Sequence, residues 1–362
     1  MIDQLISELV AYGLENGLID DADKVYVTNG LLELFQRQDY QEPEKLGKPR
    51  KLQLILDDLL EYALSQGILE DDTVTMRDLL DTKIMGILTP APSVVRKIFE
   101  EKYQVSPKAA TEFYYHFSQA TNYIRTDRII KDEKWETDTE FGKMDITINL
   151  SKPEKDPRDI AKAGTAKKSG YPACLLCREN EGYAGHLSHP ARQNHRIIPI
   201  TLCGEQYYLQ YSPYVYYNEH CIIFNKNHIP MVINEMTFNK LLDFVKQFPH
   251  YMAGSNADLP IVGGSILSHD HFQGGSYVFA MAKAPYEQEF DLDRYPDIHA
   301  GIVKWPMSVI RLQGRAMDSI VAAANHILTK WRGYSDPEVN IFSDTDGIPH
   351  NTITPIARMR GD

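Results

Sequence analysis

The sequence lacks the features of a membrane-spanning or secreted protein. No uninterrupted apolar run approaches the roughly 20 residues that a membrane-spanning helix requires. Met1 is followed by Ile2, Asp3 and Gln4, with neither a basic start nor a small-residue cleavage site, so we expect no signal peptide. Four cysteines are too few for a disulfide framework in a chain of 362 residues. We therefore expect a cytoplasmic protein in a reducing compartment and no membrane partner.

A surplus of positive charge is also absent. The chain has 38 lysines and arginines against 50 aspartates and glutamates, a net charge of −12. This balance argues against a broad nucleic-acid-binding surface, so we expect no nucleic-acid partner. A small phosphorylated substrate is not excluded, because a few local cations and backbone N–H groups suffice to bind it. The hydrophobic fraction of 43% and the charged fraction of 24% are ordinary for a globular protein.

Residues 1–130 have the pattern of a helical region. Apolar residues recur there every three or four positions, and breaks fall at Gly17, at Gly67 and at residues 90–92. We find no internal repeat and no obvious chemistry in this region. The apolar stripes consist of Leu5, Ile6, Leu9, Val10 and Leu14, then Leu52, Ile55, Leu56, Leu59 and Leu60, then Met76, Leu79, Leu80 and Ile84, then Val94, Val95, Ile98 and Phe99.

Residues 131–362 have a different pattern. The charged stretch at 125–140 indicates a connector, with a solvated helix surface as an equally good interpretation, and the polar residues 152–170 indicate a long surface loop. Period-two alternation predicts a strand at 145–150, and helical spacing predicts helices at 235–248 and 318–331. Further strands are predicted at 195–200, 206–211, 220–224, 275–280 and 352–358. We predict an α+β fold: the helical N-terminal region, then an antiparallel sheet with flanking helices.

Cys174 and Cys177 form a CxxC pair. Two thiolates on one tight turn lie close enough to share a tetrahedral metal, although the same spacing also occurs in redox pairs. The redox interpretation requires a thioredoxin-like βαβ context, which the flanking residues do not supply. A zinc site needs two further ligands, and downstream histidines can supply them. With 12 histidines in the chain, no single one stands out by number alone.

The segment from His269 to Gln273 has the sequence HDHFQ and is flanked by glycines. Glycines let backbone N–H groups approach a phosphate closely, and strand residues two apart share a face. A metal would hold the first imidazole and leave the second free as a nucleophile, because a neutral imidazole attacks phosphorus without a strong base. Gln273, on the same face, would stabilise the phosphate. The alternative is that His269 and His271 pack within a glycine-rich turn.

The HxHxQ signature after a Gly-Gly strand resembles the active site of the transferase branch of the histidine-triad superfamily. The wider pattern resembles the second, Firmicutes-type family of galactose-1-phosphate uridylyltransferases, also called UTP–hexose-1-phosphate uridylyltransferases. The first family lacks the helical N-terminal region. Supporting stretches lie at residues 189–194, 214–220, 254–260 and 268–275.

The resemblance implies roles for several residues. His271 matches the nucleophile that becomes uridylylated, and Gln273 matches the phosphate-stabilising glutamine. The zinc ligands implied are Cys174, Cys177, His228 and His269, with His220 as the rival of His228. With four protein ligands this zinc would be structural. Glu287 lies near the position of an acidic ligand of a second metal in the first family, but no complete ligand set can be assigned there.

The resemblance also suggests substrate contacts. Cations in the 152–170 loop would face the pyrophosphate, although a solubilising charged loop explains them equally well. An Asn/Asp-rich turn would explain Asn256 and Asp258 without any ligand. The predicted substrate-binding residues are Lys152, Lys155, Arg158, Gln210, Tyr211, Ser212, Asn256 and Asp258.

The implied function is the exchange of UMP between UDP-glucose and galactose-1-phosphate through a uridylyl-histidine, in galactose metabolism. Superfamily relatives often dimerise, so a homodimer is expected. Family members generally continue beyond the point where this chain stops, so we expect 131–362 to lack the family's C-terminal portion. The alternatives are a dinucleoside polyphosphate phosphorylase or adenylyltransferase, and a non-catalytic zinc-stabilised module that binds sugar nucleotides.

Overall fold

A computed structural model describes residues 2–44, 50–151, 170–262, 264 and 266–361 of the chain. It separates into two compact units. The first comprises Met1–Asp132 and Asn149–Ile198, and the second comprises Glu133–Ile148 and Pro199–Asp362. Helices come first and antiparallel strands dominate afterwards, so the predicted α+β class is confirmed.

The first unit is built from helices whose apolar stripes face inward. Leu9, Ile55 and Ile84 are fully buried, as the three-to-four spacing predicts. In the described residues, α1 packs against α3, and α5 packs against α6. The helices are α1 (Ile2–Glu15), α2 (Lys24–Leu34), α3 (Leu52–Ser65), α4 (Val74–Leu88), α5 (Pro92–Val105), α6 (Pro107–Ala120) and α7 (Thr126–Ile129).

Local chemistry sets the ends of these helices. Gly17 and Gly67 have φ values of +63° and +71°, a left-handed conformation that glycine adopts at little cost. The predicted breaks at both glycines are therefore confirmed. Thr73 and Ser106 cap α4 and α6, each accepting a hydrogen bond from a backbone N–H of the first turn.

The second unit begins with an antiparallel hairpin of β1 (Glu133–Thr139) and β2 (Gly142–Ile148). The prediction of a connector at 125–140 is therefore wrong for the residues of β1. Nearly every β1 residue is exposed, so its charged side chains remain in solvent while the backbone pairs with β2. Without a buried face, the strand shows no apolar alternation in its sequence.

The centre of the second unit is a six-stranded sheet in the order β13-β6-β7-β5-β4-β3. The described pairings between neighbouring strands are antiparallel. The strands are β3 (Ile198–Leu202), β4 (Glu205–Tyr211), β5 (Cys221–Asn225), β6 (Met252–Gly254), β7 (His271–Gly275) and β13 (Ile356–Arg358). Four predicted strands overlap β3, β4, β5 and β13, and a fifth overlaps β2.

The predicted strand at 275–280 is wrong. Hydrogen bonding to β5 and β6 instead makes a strand of the five residues that end at Gly275. Gly275 has a φ of +155°, and the chain leaves the sheet there to form α9 (Ala280–Lys283). The last three residues of the motif thus begin the strand, and the apolar residues after Gly275 lie outside the sheet.

Helices cover the sheet, and the other described strands form a three-stranded sheet and two hairpins. The predicted helices are confirmed as α8 (Glu235–Gln247), which packs against β6 and β13, and α10 (Met317–Arg332), which packs against α8. Asn234 caps α8. The remaining strands are β8 (Tyr286–Phe290), β9 (His299–Val303), β10 (Ile310–Gln313), β11 (Asp344–Thr345) and β12 (Ile348–Pro349). No helix among the described residues is long and apolar enough to cross a membrane.

Candidate active site

The HxHxQ motif enters the sheet at its centre. His271 begins β7, which lies between β5 and β6. Side chains alternate along a strand, so His271 and Gln273 share one face, while Phe272 stacks on Tyr207 at the opposite face, with ring centroids 5.9 Å apart. Phe272 thereby anchors the strand in the core and presents the polar residues on the other side.

Hydrogen bonding fixes the tautomer of His271. Its Nδ1 lies 2.7 Å from the backbone carbonyl of His269, and a carbonyl oxygen only accepts, so Nδ1 carries the proton. The ring is 3% exposed, and this burial lowers the pKa of His271. In the neutral ring, Nε2 is therefore unprotonated and carries a lone pair.

A chain of side-chain amides leads away from this nitrogen. Nδ2 of Asn256 lies 3.5 Å from Nε2 of His271, and Nε2 of Gln273 donates to Oδ1 of Asn256 at 3.0 Å. At its far end, Oε1 of Gln273 lies 3.1 Å from Nε2 of His220. The structure thus brings together His271, Gln273 and Asn256, all predicted site residues. It adds His220, which the sequence indicated only as a rival metal ligand.

A second group of side chains anchors the loop between the two histidines. Tyr207 donates a 2.5 Å hydrogen bond to Oδ2 of Asp270, and Lys240 donates to the Tyr207 hydroxyl at 2.9 Å. Burial raises the pKa of Tyr207, and so does the carboxylate of Asp270. The phenol therefore stays protonated and acts as a donor. Sequence reasoning missed this anchor, because Tyr207 and Lys240 lie on a distant strand and helix.

The predicted metal ligands come together. One ligand atom from each of Cys174, Cys177, His228 and His269 lies within 4.8 Å of the others. His220, the rival of His228, is not a member of this group. Ligand atoms of a tetrahedral N₂S₂ zinc site lie about 3.3–3.8 Å apart. The two sulfur atoms are 3.5 Å apart, so the donor set fits zinc after small shifts.

Hydrogen bonds hold His269 and the CxxC turn of this cluster in place. Nε2 of His269 donates to the backbone carbonyl of Asn225 at 2.8 Å, so a metal held by this ring would bind at Nδ1. Asn180 donates to the carbonyls of both Cys174 and Cys177 and so holds the CxxC turn. Burial raises the pKa of Cys177 to about 11, so the thiol is protonated at neutral pH and would release its proton on binding a cation.

The remaining predicted substrate residues are placed differently. Gln210 lies on the same sheet face as Gln273, because both stand opposite Ile222 in the strand register. Tyr211 lies on the other face, and its hydroxyl is 2.7 Å from that of Tyr251. Its side chain is therefore not brought to His271.

Ser212 and Asp258, two other predicted contacts, form hydrogen bonds within the protein. The hydroxyl of Ser212 accepts a hydrogen bond from the Tyr214 N–H. Asp258 accepts hydrogen bonds from the side chains of Thr352 and Arg332 and from the Ile233 N–H, so its carboxylate already has partners within the protein. The predicted contacts Lys152, Lys155 and Arg158 lie outside the described residues.

Comparison with known proteins places the chain in a family. Residues 17–230 match the family description "Galactose-1-phosphate uridyl transferase, N-terminal domain", and residues 243–362 match the corresponding C-terminal domain. A galactose-1-phosphate uridylyltransferase of Butyrivibrio fibrisolvens is 57% identical over 100% of this chain and 93% of its own length. Proteins of that name from Clostridium acetobutylicum and Bacillus subtilis are 55% and 51% identical, over 100% and 99% of this chain and 73% and 70% of their own lengths. No solved structure matches. The chain therefore belongs to the galactose-1-phosphate uridylyltransferase family, a family of nucleotidyltransferases.

Proposed function

We propose that this protein transfers a uridylyl group between UDP-glucose and galactose-1-phosphate by a ping-pong mechanism with His271 as the nucleophile. The observation that carries the proposal is the tautomer of His271. With its Nδ1–H donated to the His269 carbonyl, the lone pair on Nε2 is free to attack.

Two substitutions at phosphorus balance the reaction. In the first, a bond forms between Nε2 of His271 and the α-phosphorus of UDP-glucose, and the bond to the bridging oxygen breaks. Glucose-1-phosphate leaves with that oxygen and its electron pair. In the second, a phosphate oxygen of galactose-1-phosphate attacks the same phosphorus. The P–N bond breaks, UDP-galactose forms, and the imidazole is regenerated.

The side-chain amides beside the nucleophile support phosphoryl chemistry. The amide of Asn256 lies 3.5 Å from Nε2 of His271, and the amide of Gln273 donates to Asn256 at 3.0 Å. We assign them to the non-bridging oxygens of the transferred phosphoryl group, where charge develops. A glutamine at position 273 titrates at no working pH, so it supplies no general base for water. This property favours transfer over hydrolysis.

Zinc is the cofactor we propose for the Cys174, Cys177, His228 and His269 cluster. Four protein ligands leave no open position, so a bound zinc would be structural rather than catalytic. Its effect on the chemistry would pass through His269. Fixing that side chain also fixes the backbone carbonyl that holds Nδ1 of His271.

Isotope exchange tests the proposed mechanism. A ping-pong enzyme exchanges labelled glucose-1-phosphate into UDP-glucose without galactose-1-phosphate, because the first half-reaction is complete in itself. We expect this exchange, and we expect its loss in His271→Ala. Exchange that requires galactose-1-phosphate would contradict a covalent intermediate. Turnover of ATP or diadenosine polyphosphates in preference to UDP-sugars would favour the dinucleoside alternative.

Several expectations from the sequence stay predictions. They are the cytoplasmic location, the homodimer and the division of the chain near residue 130. The same holds for the substrate contacts at Lys152, Lys155, Arg158, Gln210, Tyr211, Ser212 and Asp258.

A further inference from the structure

Tyr207 is a residue of β4 that contacts the residue between the two histidines of the motif. It is fully buried, and its hydroxyl donates a hydrogen bond of 2.5 Å to Oδ2 of Asp270. Nζ of Lys240 lies 2.9 Å from the same hydroxyl and also 2.9 Å from Oε2 of Glu205, whose charge balances that of the ammonium group. The side chain of Asp270 is therefore tied to the strand β4 and, through Lys240, to the helix α8.

The chemistry of these groups allows only one direction of hydrogen bonding. An ammonium group only donates and a carboxylate only accepts, so the Tyr207 oxygen accepts from Lys240 and its single proton goes to Asp270. The order does not depend on the orientation of an amide or on the tautomer of a histidine. A hydrogen bond to a charged acceptor is also stronger than one between neutral groups. The carboxylate of Asp270 is therefore held in one place before a substrate binds.

The backbone of Asp270 joins this side-chain contact to the nucleophile. Its N–H, which donates to the Ile229 carbonyl at 2.6 Å, lies in the same rigid peptide plane as the His269 carbonyl that accepts from Nδ1 of His271. Its own carbonyl accepts from the Asn225 N–H at 2.9 Å. The peptide planes on both sides of Asp270 are thus held, and the side-chain contact holds the residue between them. A shift of Asp270 would therefore turn the carbonyl that holds the nucleophilic imidazole.

We propose that Tyr207 is a positioning residue: by holding Asp270, it keeps the ring of His271 oriented for attack on phosphorus. Its effect on the rate rests on the uridylyl transfer proposed above. Tyr207 acts through Asp270, because its own ring lies on the opposite face of the sheet, where it stacks on Phe272. A nucleophile that is already held in the attack geometry reacts faster, since less orientational freedom is lost on the way to the transition state.

Variants that remove or keep this hydrogen bond test the proposal by kinetics. Tyr207→Phe removes the hydroxyl and keeps the ring, Asp270→Ala removes the acceptor, and Asp270→Asn keeps an acceptor oxygen. We expect the single-turnover rate of His271 uridylylation to fall on the order of tenfold in Tyr207→Phe and in Asp270→Ala, with the Kd for UDP-glucose little changed. Asp270→Asn should retain most of the rate. Because both residues act through one contact, the double variant Tyr207→Phe/Asp270→Ala should be little slower than either single variant.

Tyr114→Phe is the matched control for the loss of a buried hydroxyl. Tyr114 is fully buried in the first unit, and its hydroxyl donates to the backbone carbonyl of Arg196. This variant should lose stability much as Tyr207→Phe does, but it should keep the wild-type rate of uridylylation. Equal rate losses in the two Tyr→Phe variants, or losses that multiply in the double variant, would overturn the proposal.

A second measurement does not depend on turnover. ¹⁵N-histidine NMR of the intact protein should show a slowly exchanging N–H group on Nδ1 of His271, assigned by its absence in His271→Ala. The signal should exchange faster with solvent in Tyr207→Phe and Asp270→Ala and stay unchanged in Asp270→Asn and Tyr114→Phe. An unchanged signal in Tyr207→Phe would refute the positioning role even if the rate fell. Absence of uridylylation in the wild type, with the expected NMR changes present, would instead refute the proposed function and leave the hold on His271 established.

Discussion

At the scale of single residues, the chemistry of the candidate site depends on which nitrogen of each imidazole carries a proton. The backbone carbonyls of His269 and Asn225 accept from the rings of His271 and His269. In the roles proposed above, Nε2 of His271 attacks phosphorus and Nδ1 of His269 binds the metal. The two proposed roles differ because the backbone holds different nitrogens of the two rings.

Asp258 provides a prediction at the same scale. Burial would raise its pKa, but hydrogen bonds from Thr352, Ile233 and Arg332 outweigh this effect and hold the pKa below its ordinary value. A carboxyl with a lowered folded-state pKa stabilises the fold above its unfolded pKa, and this stabilisation is lost as the pH falls through the folded value. We expect Asp258→Asn to lower the free energy of unfolding by about 1–3 kcal/mol at pH 7.

Urea unfolding of both proteins at stepwise lower pH measures this difference. It should shrink as acid protonates Asp258 in the wild type. Asp293→Asn, at an exposed position, should leave stability unchanged at every pH. A difference that grew on acidification would contradict the assigned contacts.

At the scale of elements, β7 depends on the close approach of its neighbours. A Cβ added at Gly274 would lie 2.9 Å from the Met252 carbonyl and 3.1 Å from the sulfur of Cys221. Neither the backbone of β6 nor the buried β5 can move aside easily. The glycine after the motif therefore serves strand packing, in addition to any approach to phosphate that the sequence suggested.

We expect Gly274→Ala to destabilise the protein by about 1–3 kcal/mol through this overpacking. It should also slow uridylyl transfer, because β7 carries His271 and Gln273. Gly333→Ala is the matched control, since a Cβ there meets no atom within 4 Å. The test compares the melting temperatures and the single-turnover rates of uridylyl transfer of the two variants. Equal stability of the two would show that the strands tolerate the methyl group.

The elements also show how far the sequence can predict the structure. The helices α8 and α10 and strands such as β4 and β5 were predicted because each has a buried face that leaves a period in the sequence. The exposed β1 has none, and β7 was predicted a few residues too late because its glycines and polar residues do not resemble a strand. The candidate metal ligands and the candidate nucleophile His271 followed from the family resemblance. The positions of Tyr207 and of His220 beside Gln273 did not, because tertiary pairing alone brings them to the site.

At the scale of the whole molecule, the metal cluster joins ligands that are far apart in the sequence. A ligand that binds the folded chain and not the unfolded chain stabilises folding by mass action. Removal of the proposed zinc should therefore lower the free energy of unfolding and also disturb the orientation of His271.

Cys174→Ser tests this expectation. We expect the variant to lose most of the zinc found by elemental analysis and to melt lower by on the order of 5 °C or more. Cys203→Ser changes an exposed cysteine outside the cluster and should keep both its zinc and its melting temperature. Retention of zinc in Cys174→Ser would remove this residue from the ligand set.

The most direct test of the central claim is to isolate the covalent intermediate. The protein is incubated with UDP-glucose labelled at the α-phosphorus, denatured, digested and mapped by mass spectrometry. The account predicts an acid-labile uridylyl group on His271 that galactose-1-phosphate removes as UDP-galactose, and no label in His271→Ala. An active enzyme without a covalent label, or a label that persists in His271→Ala, would contradict it.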